Sequence, residues 1–401
     1  MHATHLLFIA LYLAAPPIAF ILAFVGAGPN HLRHISRLFF TMFVGTLLGT
    51  AGTVAYAVAI GARAGVGQIF ASIYFATAML LILRGFDFLL RTLMRKLLPA
   101  RQQKLSFITI NSIRIAALIV IGLPYVISAV AVYRPAVTPR DSDPLGVSTI
   151  EFASTDGIPL SGRWIPAIAR NNATTILLCH GFGSGSLSEL SLARRLMRGG
   201  YNAFAFDFRA AGRSGGHFTS FGDLERRDVL AAVRWLHQFH PRQSRRIVGV
   251  GVGTGAAALI AAAADPAAEG QSIQAIAVYD TYDDLKLLSR DLAHDALLPP
   301  MNWLAPRISL PLASLQVGVN LDNFKPAQLV RDLWPRPILV IHGMRDALIP
   351  FECGERLFDA AYFPKEHLWL PGDDYNDVTS DDNAAAAVRE FFATAKSMPV
   401  I

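Results

Sequence analysis

The pattern of apolar and polar positions divides the chain in two. In residues 1–134 long apolar runs recur, at Leu6–Val25, Leu38–Ala62, Gly65–Leu83 and Ile115–Val132. Each has the roughly 17–25 residues that a helix needs to cross a bilayer. The third is the most diluted, by Gln68 and several small residues. The first holds Pro16-Pro17, tolerated in a membrane helix as a kink where neighbours satisfy the freed backbone groups. Pro135, Pro139 and Pro144 then mark a linker over residues 135–146. From Val147 the pattern changes to short β-branched or aromatic runs alternating with amphipathic stretches. The runs are Val147–Phe152, Leu160–Ile165, Thr175–Cys179, Ala203–Phe206, Ile247–Gly251, Ala275–Val278, Pro337–Ile341 and His367–Leu370. Helical patterns fall at Leu190–Arg198, Leu224–Gln238, Ala256–Ala264, Glu355–Ala361 and Asn383–Ala395. Such alternation predicts a mainly parallel sheet with helices on both faces, over residues 147–401.

Composition sharpens the division. The chain has 401 residues, 53% of them hydrophobic and 16% charged, with mean hydropathy +0.38. That is too apolar for an ordinary soluble protein. Before residue 140 there are 11 Lys+Arg and one acid, Asp87, against 25 and 29 from Arg140 onward. The basic pI of about 9.4 thus arises between apolar segments, where positive charge sets membrane orientation, and not on a nucleic-acid-binding face.

The loops orient the expected four-helix bundle. The first carries Arg33 and Arg37, the second Arg63 alone, the third seven basic residues from Arg84 to Arg114. The positive-inside rule puts loops one and three in the cytosol, and the C-terminal domain on the other side. Met1-His2-Ala3-Thr4-His5 lacks the basic start of a cleavable signal peptide. The stretch "FDFLLRTLMRKLL" reads as a basic amphipathic segment lying along the membrane surface. Gly45 and Gly49 form a GxxxG helix-packing pattern. No intramembrane acid pair supports a transporter.

Four motifs carry a resemblance in the second part. They are "TILLCHGFGSGS" with His180-Gly181, "FAFDFRAAGRSGG" with Asp207, Arg209, Gly212 and Ser214, "GDLERRDVLAAVRWL" with Gly222, Glu225 and Asp228, and "PILVIHGMRDALIP" with Asp346. In this order and spacing, residues from about Val147 to Ala395 resemble the α/β-hydrolase superfamily, in its esterase, lipase and serine-aminopeptidase-like branch. The resemblance implies an eight-stranded, mostly parallel sheet and a serine triad acting on ester, thioester or amide bonds.

The residues where that chemistry belongs are altered. A nucleophile elbow joins a strand to a helix through G-x-S-x-G. In "RRIVGVGVGTGAAALIAAA" the corresponding residues are Gly251-Val252-Gly253-Thr254-Gly255, so the serine position holds Gly253. The acid position keeps Asp346. The loop after the last strand, where the family has its histidine, reads Pro371-Gly372-Asp373-Asp374-Tyr375, with Tyr375 in the histidine's place. Tyrosine, with a reference pKa of about 10, is a poor general base. The backbone N–H groups of Thr254 and Phe182 are the expected oxyanion donors, and His180 and Gly181 form the loop that carries one of them. Gly212-Arg213-Ser214-Gly215-Gly216 matches the elbow as text, but lacks the strand–turn–helix setting.

Other chemistry has less support. His spacing does not suit zinc, and Asp373, Asp374 and Asp377 lack calcium-loop spacing. Asp280, Asp283 and Asp284 read as solvated or capping residues. Cys179 and Cys353 read as buried thiols. The sequence therefore predicts a membrane-anchored pseudoenzyme, with no cofactor and no metal. Its expected partners are the bilayer and a small acyl or ester-type ligand or a protein. The alternative is a hydrolase with a non-standard site. The segment Asp280–Lys325, a cap insertion in the family, is apolar and proline-rich, suited to cover the pocket or touch the bilayer.

Overall fold

The computed structural model describes residues 14–19, 21, 31–59, 62–63, 66–97, 112–113, 115–134, 138–139, 149–167, 173–186, 190–372 and 378–395. The chain divides into two compact units: Met1–Val137 with Ala293–Asn320, and Thr138–Leu292 with Leu321–Ile401. Ala293–Asn320, the middle of the expected cap insertion Asp280–Lys325, therefore groups with the N-terminal helices, while its two ends stay with the second unit, a division that pattern along the chain does not suggest.

In the first unit, α1 (His31–Ala59) and α2 (Val66–Leu97) pack side by side. The GxxxG glycines make the approach possible. A Cβ on Gly45 would lie 2.2 Å from Thr77 Oγ1, and one on Gly49 would lie 2.6 Å from the Ile73 backbone. α3 (Leu123–Val132) continues a π-helical turn at Leu118–Gly122. Among the described residues three helical stretches, Ile35–Ala55, Ile69–Leu90 and Ile115–Val132, are long and apolar enough to cross a membrane. Four were expected; the first, Leu6–Val25, falls largely outside the described residues. One local expectation is corrected. The basic stretch from Phe86 is no separate surface helix but the continuation of α2, because nothing between Leu83 and Leu97 breaks the helical pattern.

The second unit is built on an eight-stranded sheet. Its strands are β1 (Thr149–Ala153), β2 (Pro159–Ile165), β3 (Thr174–Cys179), β4 (Asn202–Asp207), β5 (Arg246–Val252), β6 (Ile273–Tyr279), β7 (Ile338–Gly343) and β8 (Lys365–Leu370). They are ordered β8-β7-β6-β5-β3-β4-β2-β1. β1–β2 and β2–β4 pair antiparallel, the rest parallel. The central strands β3, β4 and β5 are buried at every residue, as continuous apolar runs in a covered parallel sheet should be. Alternation splits each strand between two cores. Leu177 and Cys179 face one side with α5 (Arg226–Phe239) and α6 (Thr254–Ala263). Ile176 and Leu178 face the other, with α4 (Leu190–Met197) and α10 (Asp382–Thr394). Between β6 and β7 run α7 (Leu285–Ala296) and α8 (Met301–Val317), and α9 (Phe351–Ala360) follows β7.

Candidate functional site

Sites in such sheets lie beyond the carboxyl ends of the strands. β5 ends at Val252 and α6 begins at Thr254, so Gly253 is the turn between them. Its backbone is at φ +53°, ψ −118°, a region that side-chain-bearing residues rarely adopt. Three hydrogen bonds hold it there. Gly253 N–H donates to Tyr279 O at 2.9 Å, while Gly253 O accepts from Ala257 N–H at 3.1 Å and Thr281 Oγ1 at 2.7 Å. The flanking glycines are required sterically. A Cβ on Gly251 would lie 2.5 Å from Ala256 Cα, and one on Gly255 would lie 2.2 Å from His180 O. The geometry of an elbow is therefore intact, and the side chain at its apex is absent.

The Gly255 contact seats the start of α6 on the end of β3, beside the loop His180–Phe182. This brings together the segments carrying the two expected oxyanion donors. Thr254 N–H lies in the first turn of α6, where amides have no acceptor within the helix. Phe182 is half exposed and stacks on Phe221, with centroids 5.6 Å apart. His180 is part of the scaffold: Nδ1 bonds Gly181 O at 2.9 Å, and Nε2 accepts from Phe208 N–H at 3.0 Å. Burial lowers its pKa, so the ring is a neutral tautomer with both nitrogens engaged. Gly181 O also accepts from Ser184 Oγ at 2.8 Å.

Asp346 follows β7 and is 7% exposed. Its Oδ1 accepts from Leu348 N–H at 2.7 Å and Ile349 N–H at 2.9 Å, which fixes the turn. Two further groups lie beside it. Asp280, at the end of β6 with φ +40°, accepts from Gly343 N–H at 2.8 Å. His342 lies in β7 with Nε2 3.9 Å from Asp280 Oδ1. Asp280, His342 and Asp346 each offer a ligand atom within 4.8 Å of the others, and all are buried. A cation would suit such a set, but His342 Nε2 already bonds Ile349 O at 2.9 Å. Burial lowers the His342 pKa, and the ring is shut off by α9, where a Cβ on Gly354 would lie 2.6 Å from Nδ1. Strand alternation gave no hint of this cluster, because Asp280 and His342 come from different strands.

Other acidic expectations need correction. Asp280 is fully buried, and Asp283 is buried in an ion pair with Arg356 at 2.8 and 2.9 Å; only Asp284 caps a helix, accepting from Lys286 and Leu287 N–H. Tyr375 lies outside the described residues, as do Asp373, Asp374 and Asp377. Ser214 accepts from Ser161 N–H at 2.9 Å and donates to Asp207 O, so it is a turn residue. Asp207 accepts from Ser186 and Arg213 N–H, and a Cβ on Gly212 would strike its carboxylate at 2.3 Å. Arg209 is buried against Asp228, 2.6 Å away, and Asp156, 2.9 Å away. These motif residues brace the loops around the elbow. Cys179 and Cys353 are buried and form no disulfide, and burial pushes the Cys353 thiol up to about 12.

Comparison with known proteins agrees with this architecture. Residues 170–334 match the family described as serine aminopeptidase, S33. The chain is similar to the uncharacterized protein YfhR of Escherichia coli (strain K12), 26% identical over 263 residues, covering 64% of this chain and 84% of that protein. It is also similar to protein ABHD12B of Homo sapiens, 24% identical over 57% of this chain and 63% of that one. Among solved structures, the Pyrococcus furiosus esterase Pf2001 superposes with a TM-score of 0.51 at 25% identity, covering 65% of this chain and 98% of that one.

Proposed function

As the C-terminal unit belongs to the α/β-hydrolase superfamily, we propose that this protein is a membrane-anchored member that has lost serine-hydrolase chemistry and uses the fold to bind. Gly253 carries the reading. The elbow's backbone is kept, yet the residue at its apex has no atom that can attack a carbonyl. A covalent acyl-enzyme cannot form there. On this reading the backbone N–H groups of Thr254 and Phe182 would serve to bind a carbonyl or carboxylate oxygen, and the ligand would be a small acyl or ester-type molecule or a protein segment presenting one. The three long apolar helices support attachment to a membrane, and the distribution of basic residues favours the unit facing away from the cytosol.

A fluorophosphonate probe tests the loss of chemistry, because it reacts with a serine activated by a histidine. The full-length protein is expected to remain unlabelled. Stoichiometric labelling, mapped to Thr254, Ser214 or any other side chain, would overturn the reading and identify a nucleophile for a rearranged hydrolase. Faint turnover of an activated ester would not, since oxyanion donors alone retain roughly 10³–10⁴-fold acceleration in a protease stripped of its triad.

A further inference from the structure

The segment Ala293–Asn320 interrupts the hydrolase-like sequence and packs within the N-terminal unit. Its helix α8 lies against α3 and against the π-helical turn before it. Near the end of α8, buried Gln316 donates from Nε2 to buried Ser128 Oγ at 2.7 Å. Leu312 joins the cluster of Ala78, Met79, Tyr125 and Ala129. Since Gln316 is in the last turn of α8, contacts with Leu118–Gly122 come from earlier turns, and α8 runs in the same direction as the candidate span Ile115–Val132. Its 17 residues extend about 25 Å, along most of that span.

The opposite face of α8 has the wrong chemistry for water. Trp303, Arg307, Pro311 and Leu315 are exposed at four-residue spacing, one row on the helix. Arg307 is the only charged residue between Asp295 and Asp322, and its guanidinium lies over Trp303, 5.5 Å from the ring centroid. Arg307 apart, the exposed row of α8 is apolar, as is the exposed face of its neighbour, where Val130 is 62% exposed. A polar pair turned inward and a row turned outward that is apolar but for Arg307, whose guanidinium is laid over Trp303, is an arrangement of helices packed in lipid.

We propose that α8 is embedded in the bilayer, with the row from Trp303 to Leu315 against acyl chains. This rests on Ile115–Val132 being a membrane span.

Single cysteines test the proposal in the full-length protein reconstituted into phosphatidylcholine vesicles. The native thiols are buried, so wild type serves as the labelling blank. A nitroxide on Leu315→Cys is expected to favour oxygen over a water-soluble nickel complex, as on Val130→Cys, while one on exposed Arg242→Cys favours the nickel complex. An aqueous profile at Leu315→Cys beside a lipid profile at Val130→Cys overturns the proposal and leaves the span intact. An aqueous profile at Val130→Cys removes the span and the proposal together. Independently, brominated acyl chains should quench wild-type tryptophan fluorescence more than that of Trp303→Phe; equal quenching counts against lipid contact.

Discussion

Thr281 Oγ1 donates a 2.7 Å hydrogen bond to the carbonyl of Gly253, tying the turn after β6 to the apex of the elbow. The bond holds the carbonyl of a residue at φ +53° while leaving no side chain over it. Because Gly253 O also accepts from Ala257 N–H at 3.1 Å, losing the hydroxyl does not orphan it. Thr281→Val is therefore expected to destabilise by about 1 kcal/mol. A denaturant midpoint unchanged from wild type would show that Ala257 alone holds the turn.

Restoring the nucleophile alone should not restore chemistry. Gly253→Ser places a hydroxyl at the apex, at a backbone-strain cost of roughly 1–3 kcal/mol. His342 is buried, with Nε2–H on Ile349 O and its basic Nδ1 packed against Gly354 of α9, so its basic nitrogen is turned to α9. The single variant is expected to stay unlabelled by fluorophosphonate, and Gly253→Ser with Tyr375→His to label partly. Full labelling of the single variant would reveal another base.

The glycines beside the apex are expected to be intolerant. Gly255→Ala drives a methyl to 2.2 Å from His180 O, a backbone atom that cannot swing aside. A loss of about 3 kcal/mol or failure to accumulate folded protein is expected. Gly372→Ala, where a Cβ meets nothing within 4 Å, is the control and should stay within about 0.5 kcal/mol of wild type.

Arg209 braces the loop that follows β4. Its side chain is 3% exposed and that of Asp228 0%, with 2.6 Å between them. Arg209→Met strands a buried carboxylate and should cost about 3–5 kcal/mol. Arg209→Met with Asp228→Leu should recover part of that loss; no recovery would mean that Asp156 and Ser154, the other partners of Arg209, dominate.

Acid should weaken the fold before the carboxylates titrate. His180 and His342 are buried and their pKa values are lowered, chiefly by desolvation. Protons bind these rings more readily in the unfolded chain, so stability is full well above the ordinary histidine pKa of about 6.5 and falls as pH drops through it. The melting temperature should decline between about pH 7.5 and 5. His180→Gln should flatten that slope, whereas a wild-type melting temperature constant over this range would mean that neither ring is held neutral.

The sequence by itself determined the eight strands, because a covered parallel sheet demands unbroken apolar runs and each run is local. It determined the elbow's missing side chain for the same reason: strand, glycines and alanine-rich helix are contiguous from Arg246 to Ala263. It also marked a packing face on α1, since Gly45 and Gly49 are four apart on one helix, while the partner of that face, α2, was decided by the tertiary structure. Residues far apart in sequence were decided by tertiary structure. Asp280 and His342 join Asp346 only because β6 and β7 are neighbours in the sheet. His180 proves structural only once Phe208 N–H and Gly181 O occupy its two nitrogens. The helix α8 lay within a stretch legible only as an apolar, proline-rich insertion, because Pro306 and Pro311 interrupt helical hydrogen bonding. Packing against α3 and the turn before it, through Gln316 and Leu312, supplies the stabilisation that local propensity withholds.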